Sequence, residues 1–103
     1  MDIPEDYNSS WRLYGQLLSN IEAVTNPSDL LQTILDLLNL HDSRPEESLD
    51  FVVAFERVLT FCLEKTGWLD DSNLRRSVGK LMLIGNATET LVMLNYALKN
   101  ITR

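Results

Sequence analysis

The sequence has little of what most enzymes use for chemistry. It holds one cysteine, Cys62, and one histidine, His41, so it can build neither a disulfide framework nor a metal site of several Cys or His ligands. It has no Gly-rich phosphate loop and no Gly-x-Ser-x-Gly motif. Cys62 lies among apolar residues, where burial suppresses the thiolate. The sequence therefore predicts no catalytic centre, cofactor or metal.

Long hydrophobic runs and a basic leader are also missing. The chain contains no stretch of about 18 apolar residues, the minimum for a membrane-spanning helix. Residues 1–6 are acidic at three positions, whereas targeting peptides begin with basic residues. A single thiol also suits a reducing compartment. We expect a cytoplasmic protein with no membrane segment.

Basic residues are scarce. The chain has 9 Lys and Arg against 15 Asp and Glu, for a net charge of −6. Residues 1–51 carry a net −8 and residues 52–103 a net +2. An acidic body repels phosphates at long range, which disfavours a nucleic-acid partner. The acidic half is either a solubilising surface or a face for a basic partner, including the case of an inhibitor that occupies a nucleic-acid-binding groove.

What the chain does have is apolar residues at helical spacing. They make up 45% of 103 residues, an ordinary proportion for one globular domain, and show no strand-like alternation. We predict a single all-α domain preceded by a flexible segment, residues 1–8. Its fold is a compact bundle of about five amphipathic helices, at 11–24, 27–40, 44–66, 73–84 and 87–101. Eleven of the fifteen residues 49–63 are apolar, so the long helix 44–66 is predicted to be central.

Local signals place the predicted helix ends. Asn26 before Pro27 is a favourable N-cap, and Ser43 with Glu46 has capping-box spacing. Gly85 followed by Asn86 predicts a tight corner between the last two helices. That corner has two interpretations, a plain helical hairpin or a DNA-binding helix-turn-helix. The recognition helix of such a motif would be 87–101, which has no Arg or Gln to read bases bidentately. The DNA-binding interpretation is therefore kept as the alternative.

Apolar residues are in surplus on the last two predicted helices. On 87–101, the largest apolar set is predicted to face inward: Met93, Leu94, Ala97, Leu98 and Ile101, with Leu91 at its edge. Val92 and Tyr96 then lie on the other side, as does Leu83 on the preceding helix. Either a neighbouring helix covers these residues or a partner does. The candidate interface combines them with nearby basic residues and an aromatic in a connection: Trp68, Arg76, Lys80, Leu83, Val92 and Tyr96.

These observations favour a non-enzymatic function. We expect a small acidic protein-protein interaction module, acting as an adaptor, regulator or inhibitor through a helical surface, with a protein partner or a second copy in a homodimer. The alternative is a helix-turn-helix DNA-binding regulator that uses the two helices around Gly85. A small enzyme is a third possibility, without support from any motif.

Overall fold

The computed structural model describes residues 10–101, which form four α-helices and one 3₁₀ helix. The helices are α1 (Ser10–Ile21), α2 (Pro27–Ser43), α3 (Ser48–Glu64) and α4 (Ser72–Ile101), with the 3₁₀ helix (Thr66–Asp70) between α3 and α4. The predicted all-α bundle is confirmed, but it has four α-helices rather than five. The predicted flexible segment, residues 1–8, lies outside the described residues.

Two helices begin at a side-chain cap, and one of these caps, Asn26, was predicted. The amide N–H of Asp29 donates to Asn26 Oδ1 at 2.9 Å, which confirms Asn26 as the N-cap of α2. At the start of α4, Asp71 Oδ1 accepts from the amides of Asn73 and Leu74 at 2.9 and 3.1 Å. Each cap satisfies amide groups that have no partner inside the helix.

The connection between α2 and α3 differs from the prediction. Ser43 does not cap the central helix, because α2 runs on through this residue and its hydroxyl donates to the Asn39 carbonyl at 3.0 Å. Pro45 keeps the preceding residue out of the helical region, and Arg44, with φ −136° and ψ 61°, ends α2. The predicted central helix, 44–66, is therefore shorter and spans Ser48–Glu64.

The core is built around α3. This helix packs against α1, α2 and α4, as predicted for a central helix, and α2 also contacts all the others. The rings of Phe51 and Phe55 lie nearly parallel with centroids 6.2 Å apart, and both are buried. The other buried residues of α3 are Val52, Ala54, Val58 and Cys62.

The predicted corner at Gly85 is wrong. α4 passes through this residue as one helix of 30 residues, and no glycine of the described chain has a positive φ. Gly85 is buried, and a Cβ at this position would overlap the ring of Phe55. Glycine is therefore present because α3 and α4 approach closely there, and it does not mark a turn. The helix-turn-helix alternative required a turn between two helices at Gly85, and α4 is continuous there.

Candidate protein-interaction surface

α4 extends beyond the rest of the bundle. α3 and α4 are joined by a short connection and run antiparallel, with Gly85 against Phe55. Seven residues of α3 precede Phe55, whereas sixteen residues of α4 follow Gly85. The last nine residues of α4, 93–101, are all exposed and extend beyond the part of the helix that packs on the bundle. We call this segment the overhang.

Burial along α4 follows the same geometry. Its buried residues recur at intervals of four and three and face the bundle: Leu74, Val78, Leu81, Gly85 and Thr88. Val92 is half-buried, and every residue from Met93 to Ile101 is exposed. The same stripe continues in the overhang at Asn95 and Lys99, which are polar. The bundle-facing stripe thus loses its apolar character where the bundle ends.

A second stripe of α4 remains apolar to the end of the helix. We call it the outer seam, and it consists of Ile84, Ala87, Leu91, Leu94, Leu98 and Ile101. At about 100° per residue, its centre lies roughly 130° around the helix from the bundle-facing stripe. Its four residues from Leu91 onward are 53% to 75% exposed. Met93 and Tyr96 are also exposed, outside the seam, so the overhang shows apolar side chains on several sides and is polar at Asn95, Lys99 and Asn100.

The predicted inward arc of the last helix is therefore wrong. The residues assigned to it, from Leu91 to Ile101, are exposed, whereas Val92 is the one that turns toward the bundle. The physical reason lies in the bundle-facing residues Gly85 and Thr88. Neither is strongly apolar, so the stripe that packs inside looks weaker in the sequence than the stripe that stays outside.

The structure separates the six candidate interface residues. Arg76, Lys80 and Leu83 are exposed and lie on the side of α4 that carries the outer seam. Val92 faces the bundle, and Tyr96 lies one turn further along the same side, 70% exposed because the bundle has ended. Their predicted role in binding remains a prediction.

Trp68 lies apart from the other five. It belongs to the 3₁₀ helix and is half-buried against Phe61, edge-on, with ring centroids 6.2 Å apart. The Lys65 ammonium lies 5.4 Å from the Trp68 ring and 5.7 Å from the Phe61 ring, within cation–π range. Trp68 thus packs against the base of the bundle, at the opposite end from the overhang.

A pair of carboxyl groups lies near the root of the overhang. The carboxyl groups of Glu56 on α3 and Glu89 on α4 approach each other. Hydrogen bonding between them, then desolvation and the repulsion between the two charges, raise the pKa of Glu89. The two residues are distant in sequence, and only the packing of α3 on α4 brings them together. The pair therefore has no signature in the sequence.

Groups capable of catalysis are sparse in the described chain. Cys62 is buried, and desolvation raises the pKa of its thiol to about 11. Within residues 10–101, no three His, Cys, Asp or Glu side chains cluster closely enough to hold a metal ion. A cleft of about 440 Å³ between α1 and α2 has Asp36 as its one ionisable lining residue.

Buried polar atoms gather at the end of the bundle near residues 41–51. In the described chain, the Tyr14 hydroxyl, His41 Nδ1 and Glu47 Oε2 are buried without a hydrogen-bond partner. Burial, followed by the charges of Glu47 and Asp50, raises the pKa of Tyr14 to about 12. The ring of His41 lies on Phe51 with centroids 4.2 Å apart. The ring of Tyr14 on α1 also meets Phe51, edge-on with centroids 6.5 Å apart, so α1, α2 and α3 come together at this ring.

Comparison with known proteins leaves the surface of α4 as the basis for a functional proposal. No protein-family model matches the sequence, and neither curated proteins nor solved structures yield a match. Of the helices in the described chain, including the 30 residues of α4, none combines the length and apolar character of a membrane span.

Proposed function

We propose that this chain is a non-enzymatic, acidic protein-protein interaction module of the cytoplasm, acting as an adaptor, regulator or inhibitor through α4. The observation that carries the proposal is the overhang. Large exposed apolar patches mark interaction sites. All nine residues of the overhang are exposed and six of them are apolar, including the seam residues Leu94 and Leu98.

The pattern along α4 supports a partner outside the bundle. If a further part of the same domain packed on the bundle-facing stripe of the overhang, apolar residues would be needed at Asn95 and Lys99. Apolar residues lie on the outer seam instead, where Leu91 and Leu94 are 60% and 53% exposed. The partner is therefore expected to contact the outer seam.

Charge gives the partner an orientation. The N-terminal half of the outer side of α4 carries Arg76 and Lys80, whereas the outer seam itself has no charged residue. A partner that places negative charge beside Lys80 and apolar side chains along the seam is complementary to this face. The apolar contact then supplies most of the affinity, and the charges set the orientation and the rate of encounter.

Site-specific photocrosslinking in the native host tests the proposal. A photoreactive amino acid replaces Leu94 in the outer seam, and the matched control replaces Ser19, which is exposed on α1. We expect a protein adduct from position 94 and none from position 19, and loss of the adduct when Leu98→Glu is added. Adducts of equal yield from both positions, or none from position 94, would contradict the proposal.

A further inference from the structure

The outer seam has the spacing of a coiled-coil contact. Its six residues alternate at intervals of three and four, the 3.5-residue repeat through which two helices pack side by side. A contact of this kind requires a helix as its partner. In the described chain, α1, α2 and α3 already pack together with α4 inside the bundle. None of these three helices is therefore free to lie along the seam, and we look for the partner helix in another molecule.

The seam is complementary to itself when two copies run antiparallel. About an axis between residues 92 and 93, its residues form three kinds of layer: Leu91 with Leu94, Ala87 with Leu98, and Ile84 with Ile101. Every layer joins two apolar side chains, and the small Ala87 lies opposite the larger Leu98. Because the axis is two-fold, each contact is made twice, as in the isologous interfaces of most homodimers.

Charges on α4 favour the antiparallel arrangement. The positions beside the seam are uncharged, among them Thr90, Asn95 and Ala97, so two copies can approach without repulsion. Lys80 lies one turn before Ile84 on the same face and falls just past the C-terminal end of the other copy's α4. That end carries the negative pole of the helix dipole, which attracts the ammonium group and which Lys99 in the last turn partly offsets from another side of the helix. In a parallel pair, Lys80 would instead face a second Lys80.

We propose that the outer seam binds a second copy of this chain, with the two α4 helices antiparallel about an axis between residues 92 and 93. The overhang of each copy then lies along the part of the other copy's α4 that belongs to its bundle. This inference rests on the proposed function, since it names the partner of the same surface.

Sedimentation of the purified chain over a wide concentration range is the first test. We expect a reversible dimer. Leu94→Glu places a charge in the central layers and should weaken association by more than about thirtyfold, the effect of losing a main anchor. Met93→Glu is the matched control, because Met93 is adjacent and 65% exposed but points away from the seam. It should leave the dimer intact, and circular dichroism should show unchanged helix content in both variants.

Disulfide trapping tests the register. Ala87→Cys and Leu98→Cys are made as separate variants, since the native Cys62 is buried and the wild type serves as the uncrosslinked control. In the antiparallel dimer, two copies of position 87 lie roughly 16 Å apart along the axis, too far for a disulfide. Each variant alone should therefore stay uncrosslinked, whereas a mixture of the two should form the 87–98 disulfide.

The outcomes separate this inference from the proposed function. A wild type that stays monomeric at every concentration, or single variants that crosslink with themselves, would overturn the antiparallel dimer. If photocrosslinking at position 94 then still yields adducts with a different protein, the interaction module stands with another partner. If position 94 yields no adduct and the chain is monomeric, both are refuted.

Discussion

Gly85→Ala tests the close approach of α3 and α4 most directly. A Cβ at this position would overlap the ring of Phe55, which is 1% exposed and has little room to move. Gly79 is the matched control, because it lies in the same helix and no atom comes within 4 Å of its added Cβ. The two substitutions make the same chemical change and differ in what the methyl group meets.

The magnitudes follow from two opposing effects. Alanine is favoured over glycine inside a helix by up to about 1 kcal/mol, so Gly79→Ala should raise the free energy of unfolding by roughly that amount. Gly85→Ala has the same helix gain but overpacks the core, which typically costs about 1–3 kcal/mol. We therefore expect Gly85→Ala to be less stable than Gly79→Ala by about 1–3 kcal/mol. In a domain of this size, each kcal/mol corresponds to roughly 4–8 °C in Tm.

Denaturant and thermal unfolding, followed by circular dichroism, measure the difference. A second comparison places Gly85→Ala in a Phe55→Leu background, where the ring is gone and the methyl group has space. In that background the effect of Gly85→Ala on the free energy of unfolding should approach the effect of Gly79→Ala. If Gly85→Ala stabilises the native chain as much as Gly79→Ala does, the contact with Phe55 is refuted. A penalty that persists after Phe55→Leu would point to a turn at Gly85 instead.

Four further results are expected. Phe55→Ala should lower the free energy of unfolding by about 3–5 kcal/mol, because it empties a buried position of α3; a Tm within a degree or two of wild type would contradict this. Cys62 should react slowly with a thiol reagent until the chain unfolds, because burial raises its thiol pKa to about 11; fast native labelling would revive the enzyme interpretation. Tyr14→Phe removes a buried hydroxyl that has no partner in the described chain, so thermal unfolding should show an equal or higher Tm, and a clear loss would reveal a hydrogen bond. The pKa of Glu89 is raised in the folded chain, so the native state keeps this proton to higher pH, and the free energy of unfolding falls as pH rises through that range. Glu89→Gln should flatten this pH dependence, as measured by denaturant titrations at several pH values. An unchanged slope would exclude the contact with Glu56.

Helical periodicity and cap chemistry predicted much of the fold. The all-α class, the Asn26 cap and the burial of Cys62 all agree with the structure. These features depend on residues a few positions apart or on the apolar face of one helix. The α2 boundary was missed because Arg44, which Pro45 keeps out of the helical conformation, ends the helix later than the Ser43 capping pattern suggested.

Gly85 and the overhang show where sequence reasoning ends. Glycine serves both as a helix terminator and as a point of close approach, and only the ring of Phe55, on another helix, distinguishes the two. Periodicity likewise assigns apolar residues to stripes on a helix, but it does not show which stripe the neighbouring helices contact. The apolar surplus of α4 was visible in the sequence. Which side of α4 packs on the bundle depends on its contacts with the other helices, and the sequence of α4 alone does not determine this.

The overhang also divides α4 into two regions of different cooperativity. Amide groups from Ser72 to about Val92 belong to a helix whose side chains are held by the core, so their hydrogen exchange requires opening of the bundle. Amides in residues 93–101 are held by helical hydrogen bonds alone, and a short helix without tertiary support opens readily in water. One geometric helix thus contains a slow-exchanging and a fast-exchanging segment. Whatever binds the outer seam would join the two into a single cooperative unit and slow exchange along the whole of α4.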